Sequence, residues 1–161
     1  MSSVRSAGDA GRRRRRLANQ VKDELRELAT QLSLHGRAVG ARVDFRDVDL
    51  DCLDLIARHG PISPSALARR AGLHPATMTG VLDRLERGGW IARERDGADR
   101  RAVTVRALRD RNAELYEHFS GMNNRMDTIL DDYSDADLEL IAGFLNRTTA
   151  AGHEATGDLA E

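Results

Sequence analysis

Residues 63–106 constrain this chain more than any other stretch: SPSALARRAGLHPATMTGVLDRLERGGWIARERDGADRRAVTVR. Ser63 followed by Pro64 is a helix start, because a hydroxyl caps the first turn and proline's missing N–H costs nothing there. Ala66, Leu67, Ala68 and Ala71 give about two turns of narrow apolar face. Gly72 then marks a sharp turn and Leu73 a core plug. Pro75 opens a second helix in which Met78, Val81, Leu82 and Leu85 recur at helical spacing, and Gly88-Gly89 ends it. Two short helices joined by a glycine-containing turn form a helix-turn-helix unit.

A hairpin follows. Trp90–Arg95 and Ala102–Arg106 are strand-length runs, with Ile91/Arg93 and Val103/Val105 alternating and Asp96-Gly97 as the turn signal between them. A helix-turn-helix followed by a basic-tipped hairpin is a winged unit that reads double-stranded DNA.

The run Leu82-Asp83-Arg84-Leu85-Glu86-Arg87-Gly88-Gly89-Trp90-Ile91, with the Asp99-Arg100-Arg101 triplet at the hairpin tip, resembles the MarR family of bacterial transcriptional regulators. The likeness extends over roughly residues 17–150, with its specific motifs between 63 and 106. It implies a mainly α fold with a small β-hairpin wing: a winged helix-turn-helix domain plus a dimerisation region formed by the N- and C-terminal helices.

Charge agrees with this division. Residues 61–109 hold 10 Lys/Arg against 5 Asp/Glu, whereas residues 110–161 hold 3 against 12. The basic excess therefore lies on the expected reading head. No apolar run approaches the ~20 residues that cross a bilayer, and the arginine-rich start has no apolar segment behind it. With one cysteine, Cys52, these features suggest a cytoplasmic protein with no membrane partner.

Along the chain, residues 1–16 are expected to be a disordered arm ending in the basic block Arg12–Arg16. This block is either a solvated helix start or an accessory phosphate contact. Leu17, Val21, Leu25, Leu28 and Leu32 then form an apolar stripe on a helix that should run out near Gly36–Gly40. A second helix should begin at Asp44 or Asp47 and end before Gly60-Pro61, burying Val48, Leu50, Leu53, Leu55 and Ile56. Residues 108–131 read as one long helix. Ser134 caps the last one, with Asp137 as the partner of a short capping box. The expected division is 17–43 and 108–150 for the dimerisation region, 44–107 for the winged domain and 151–161 for a flexible tail. A symmetric homodimer would bury the terminal stripes, with Leu17, Val21, Leu25, Leu28, Ile141, Phe144 and Leu145 in its interface; an intramolecular bundle is the alternative.

The start of the second helix (75–87) belongs in the major groove, exposing His74, Ala76, Thr77, Thr79 and Gly80, with Arg84 farther along near a phosphate. Gly80 would let the backbone approach either DNA or, slightly preferred, a neighbouring helix. Ser63 and Ser65 sit where N–H groups favour anions, although capping alone explains Ser63. By resemblance, Arg101 or Arg100 of the wing (96–101) enters the minor groove while Asp99 holds the tip; a narrow groove concentrates negative potential.

The five histidines are scattered, no zinc-ligand spacing exists and no nucleophile–base pair is evident, so neither an enzyme nor a resident metal or cofactor is expected. Cys52 reads as a small buried residue. The expectation is a repressor on a pseudo-palindromic operator, and the resemblance implies a small-molecule effector as a further partner. A nucleoid-type binder without operator preference and a protein-binding winged domain are the rivals.

Overall fold

The computed structural model describes residues 2–46, 48–95 and 103–159. Its elements are α1 (Ser2–Arg42), α2 (Asp49–His59), α3 (Pro64–Ala71), α4 (Pro75–Arg87), β1 (Ile91–Arg95), β2 (Val103–Ala107), α5 (Arg109–Leu130) and α6 (Asp135–Asp158). Two compact units result, residues 1–115 and residues 116–161.

The core of the first unit joins the helix-turn-helix to the hairpin. Cys52, Leu53 and Ile56 of α2, Leu67 and Ala68 of α3, and Met78, Val81, Leu82 and Leu85 of α4 are all buried, with Ile91 and Val105 closing the set from the hairpin. Each large side chain taken fully out of water contributes roughly 1.5–3 kcal/mol. The strands are antiparallel, pairing Ile91 with Ala107, Arg93 with Val105 and Arg95 with Val103. Ile62 adds a third edge through two backbone bonds with Val105, of 3.0 and 2.8 Å.

Both helices of the helix-turn-helix stop in the same way. Gly72 and Gly89 adopt positive φ of 63° and 74°, a conformation that glycine enters without the Cβ penalty. Past Gly72, Leu73 N–H donates to Ala68 O; past Gly89, Trp90 N–H donates to Leu85 O, both at 2.9 Å. These six-to-one bonds satisfy carbonyls that the ended helix leaves open.

Three expectations need correction. Where a disordered arm is expected at 1–16, helix α1 already begins at Ser2. Arginine is a good helix former, so Arg12–Arg16 continues the periodic segment backwards instead of breaking it. That helix does not run out at Gly36–Gly40 but continues to Arg42. A Cβ on Gly36 would lie 3.3 Å from Leu50 Cδ2, and one on Gly40 would lie 3.4 Å from Phe45 Cβ, so both glycines serve close packing. Where a flexible tail is expected from 151, α6 continues to Asp158. Its threonines, such as Thr149 and Thr156, turn their hydroxyls onto carbonyls four residues back.

Helix α2 begins at Asp49, later than expected; Asp47 lies outside the described residues. Val48, Leu50 and Leu55, expected to be buried, are half-buried. In the second unit, Ser134 and Asp137 form the expected capping box at the start of α6, each side chain bonding the other's backbone N–H.

Candidate nucleic-acid interface

Helix α4 is two-faced. Met78, Val81, Leu82 and Leu85 are each at most 1% exposed, while Ala76, Thr77 and Thr79 are exposed between them. The spacing that fills the core thus leaves a row of small and hydroxyl-bearing residues free along the N-terminal half. Just before α4, His74 is exposed and acts as its N-cap, with Nδ1 accepting from Ala76 N–H at 3.2 Å. Thr79 donates its hydroxyl to Pro75 O at 3.1 Å. That bond leaves its oxygen lone pairs as acceptors and its methyl for apolar contact.

On α3, Ser63 is half-buried and caps the helix by accepting from Ala66 N–H at 3.3 Å. Ser65 is exposed, and its hydroxyl lies 3.3 Å from that of Ser63. The neighbouring Arg69 and Arg70, and Arg87 at the end of α4, are also exposed. The segmental charge count was the signal that could have picked them out.

Arg84 is placed differently from the sequence expectation. Its Nη2 and Nε donate to the two carboxylate oxygens of Asp49, at 2.6 and 3.1 Å. Asp49 also accepts from Arg46 N–H at 3.0 Å and is 1% exposed. The carboxylate raises the Arg84 pKa, its hydrogen bond being the main cause. A guanidinium committed in this way is a tie between α4 and α2, which its distance along the helix could not reveal. Asp49 falls on the buried face with Cys52, Leu53 and Ile56, three, four and seven residues on, so the signal was an acid at a core position.

Gly80 is also corrected. Beyond the helix's own backbone, a Cβ there would meet only Arg84 Nη1, at 3.6 Å, among the described residues, so none of the described helices requires the glycine.

The hairpin is tied to α4 by Arg93, which donates to Asp83 at 2.6 Å and to Glu86 at 2.7 Å. These acids raise its pKa, the Asp83 hydrogen bond foremost. Across the strands, Arg106 pairs with Glu94. Asp99, Arg100 and Arg101 lie outside the described residues.

Of the expected dimerisation residues, Leu17, Val21 and Leu28 of α1 and Phe144 and Leu145 of α6 are 43–52% exposed in the single chain. Leu25 and Ile141 are half-buried. Among the described residues no group of three metal-ligating side chains converges, and no helix is long and apolar enough to cross a membrane.

Comparison with known proteins points to one family. The MarR family model matches residues 47–103, the segment that contains α2 to β1. The chain is 31% identical to an uncharacterised HTH-type transcriptional regulator of Mycobacterium leprae over 132 residues, 71% of this chain and 92% of that protein. It is 29% identical to the uncharacterised HTH-type regulator YcgE of Bacillus subtilis, over 76% of this chain and 79% of that one. Among solved structures, a transcriptional regulator from Thermotoga maritima superposes with a TM-score of 0.61 at 26% identity, covering 86% of this chain and 98% of that chain. The chain belongs to the MarR family of winged helix-turn-helix transcriptional regulators.

Proposed function

We propose that the protein binds a pseudo-palindromic operator as a homodimer, one half-site per subunit, and represses by occluding polymerase. Helix α4 enters the major groove and the wing tip 96–101 enters the minor groove, with half-sites about 34 Å apart. The carrying observation is the outer row of α4: Ala76, Thr77 and Thr79 stand exposed while the opposite face is fully buried. Ser63, Ser65 and His74 at the starts of α3 and α4 add hydrogen-bonding groups for phosphates. Arg100 or Arg101 supplies the minor-groove contact and Asp99 holds the tip, roles that rest on the family likeness. Arg84 has no direct DNA contact in this reading.

The dimer is supported by the exposed Leu17, Val21 and Leu28 on α1 and, separately, Phe144 and Leu145 on α6, large apolar residues that a lone chain would leave in water. A small-molecule effector that shifts the dimer between two geometries is carried by the likeness alone.

Fluorescence anisotropy against the duplex upstream of the protein's own gene and against a scrambled duplex tests the DNA reading. We expect at least about a thousandfold preference for the first. Equal, strongly salt-dependent binding to both would replace operator recognition by non-specific DNA binding. Sedimentation at micromolar concentration tests the dimer, and a monomer would refute it.

A further inference from the structure

We infer that Asp49 is a positioning residue for sequence recognition: through its two-point bond to Arg84 it sets the rotation of α4, and so selects which side chains meet the bases. This rests on the operator-binding reading above.

The geometry is specific. Arg84 presents Nη2 and Nε to Oδ1 and Oδ2 of Asp49, at 2.6 and 3.1 Å, so the two planar groups meet edge to edge. Such a fork constrains orientation as well as distance, which a single ammonium cannot do. On the other side, Oδ2 accepts from Arg46 N–H at 3.0 Å, fastening the carboxylate to the turn that starts α2. Asp49 is 1% exposed, so it touches no DNA itself.

Arg84 lies five residues beyond Thr79, and its Nη1 would be 3.6 Å from a Cβ on Gly80. The guanidinium therefore lies back along the helix, beside the part of α4 that reads bases. Each residue of an α-helix is offset by about 100° from the next, at 3.6 residues per turn. A rotation of one step would exchange the outward Thr77 or Thr79 for a neighbour. The buried face of Met78, Val81, Leu82 and Leu85 opposes so large a turn, but a fraction of a step, enough to shift a threonine against a base edge, is open to repacking. A two-point bond onto a buried carboxylate has one good geometry.

Affinity and specificity separate in this arrangement. Phosphate contacts hold the protein on any duplex, whereas base contacts demand the correct rotation. Loss of the fork should therefore reduce discrimination and spare non-specific binding. An Arg84–phosphate contact would do the reverse, weakening all duplexes alike and flattening the salt dependence by about 0.9 in slope per contact.

The test compares full-length wild type with Asp49→Asn, Arg84→Lys and the double variant Asp49→Leu/Arg84→Met. Each is titrated against operator and scrambled duplexes at several salt concentrations. The double variant guards against misfolding, since replacing a buried ion pair with apolar groups is often neutral for stability, whereas breaking one is not. We expect each folded variant to lose at least tenfold in the operator-to-scrambled ratio, with the salt slope on scrambled DNA unchanged. Arg84→Lys should fail like the others, because the fork and not the charge is required. A folded double variant that keeps the wild-type ratio would overturn the inference, as would a slope reduced by about one unit per subunit. Wild type that binds both duplexes equally would overturn the operator reading and this inference with it. A discriminating wild type with equally discriminating variants would overturn this inference alone.

Discussion

Asn112, in the first turn of α5, donates its Nδ2 hydrogen to the carbonyl oxygen of Trp90 at 3.1 Å. The same oxygen accepts from Leu108 N–H at 2.9 Å, and the Arg111 guanidinium lies 4.6 Å from the Trp90 ring centroid. Phe45, in the loop after α1, meets that ring edge-on, with the centroids 5.0 Å apart. Trp90 thus joins the end of α4 to the start of α5 and to the loop after α1. Asn112→Leu should cost about 1 kcal/mol, because Trp90 O keeps one of its two donors. Urea unfolding followed by the fluorescence of Trp90, the only tryptophan in the chain, measures it. An unchanged midpoint would show the bond to be neutral.

Arg93 couples the hairpin to α4 through Asp83 and Glu86. These pairs are partly exposed, so Arg93→Ala should cost less than about 1 kcal/mol of stability. Its larger effect should fall on DNA, since a wing free to move must be ordered on binding. We expect roughly tenfold weaker operator affinity, about 1.4 kcal/mol. Equal anisotropy curves for variant and wild type would show that the wing is held by other means.

Among the described residues no neighbouring element crowds Gly80. An added Cβ would make only an ordinary 3.6 Å contact with Arg84. Gly80→Ala should therefore stabilise the helix by about 1 kcal/mol. It should at the same time weaken operator binding if the α4 backbone approaches DNA there. Thermal melting and anisotropy on one preparation separate the two effects. A stabilised variant with wild-type affinity would refute the close approach.

Cys52 is fully buried, and burial first, then Asp51 and Asp49, push its thiol up to about 11. It should resist alkylation at pH 8 in the folded protein and react at once in urea, because the thiolate is the nucleophile. Since the folded value lies above the thiol's ordinary value of 9.0, the associated stability is complete below pH 9. It declines as the pH rises towards 11. Rapid stoichiometric labelling of native protein would contradict this placement.

Asp137 is held below its ordinary value of 3.8, chiefly by the Ser134 hydroxyl and then by the Ser134 backbone N–H. A depressed carboxyl stabilises the fold above its unfolded value, and that contribution disappears as the pH falls through the folded one. The start of α6 should therefore loosen below about pH 4. Ser134→Ala should bring the Asp137 titration back towards that of a free carboxyl. Carboxyl NMR shifts across pH 2–6 follow both, and coincident curves would remove the capping box from the account.

Much of the reading head was legible in the residues because its cues are local. Ser63-Pro64, His74-Pro75, Gly72 and Gly89 act through the backbone within a few positions of themselves. The spacing of Met78, Val81, Leu82 and Leu85 announces one buried face. Those features determined the helix-turn-helix and the identity of the outward row on α4, while the alternation of Ile91 with Arg93 and of Val103 with Val105 determined the hairpin. The extent of α1 and α6 was misjudged because composition alone suggested loose ends. The neighbours of Gly36 and Gly40, by contrast, come from other segments. Tertiary structure alone decided what Arg84 does: an arginine exposed in a helical projection turned to a carboxylate 35 residues away in sequence. It likewise decided that Arg93 fastens the wing and that Asn112 meets Trp90. Local spacing specifies which face of an element is apolar, but the partner of a long charged side chain depends on which other element packs beside it.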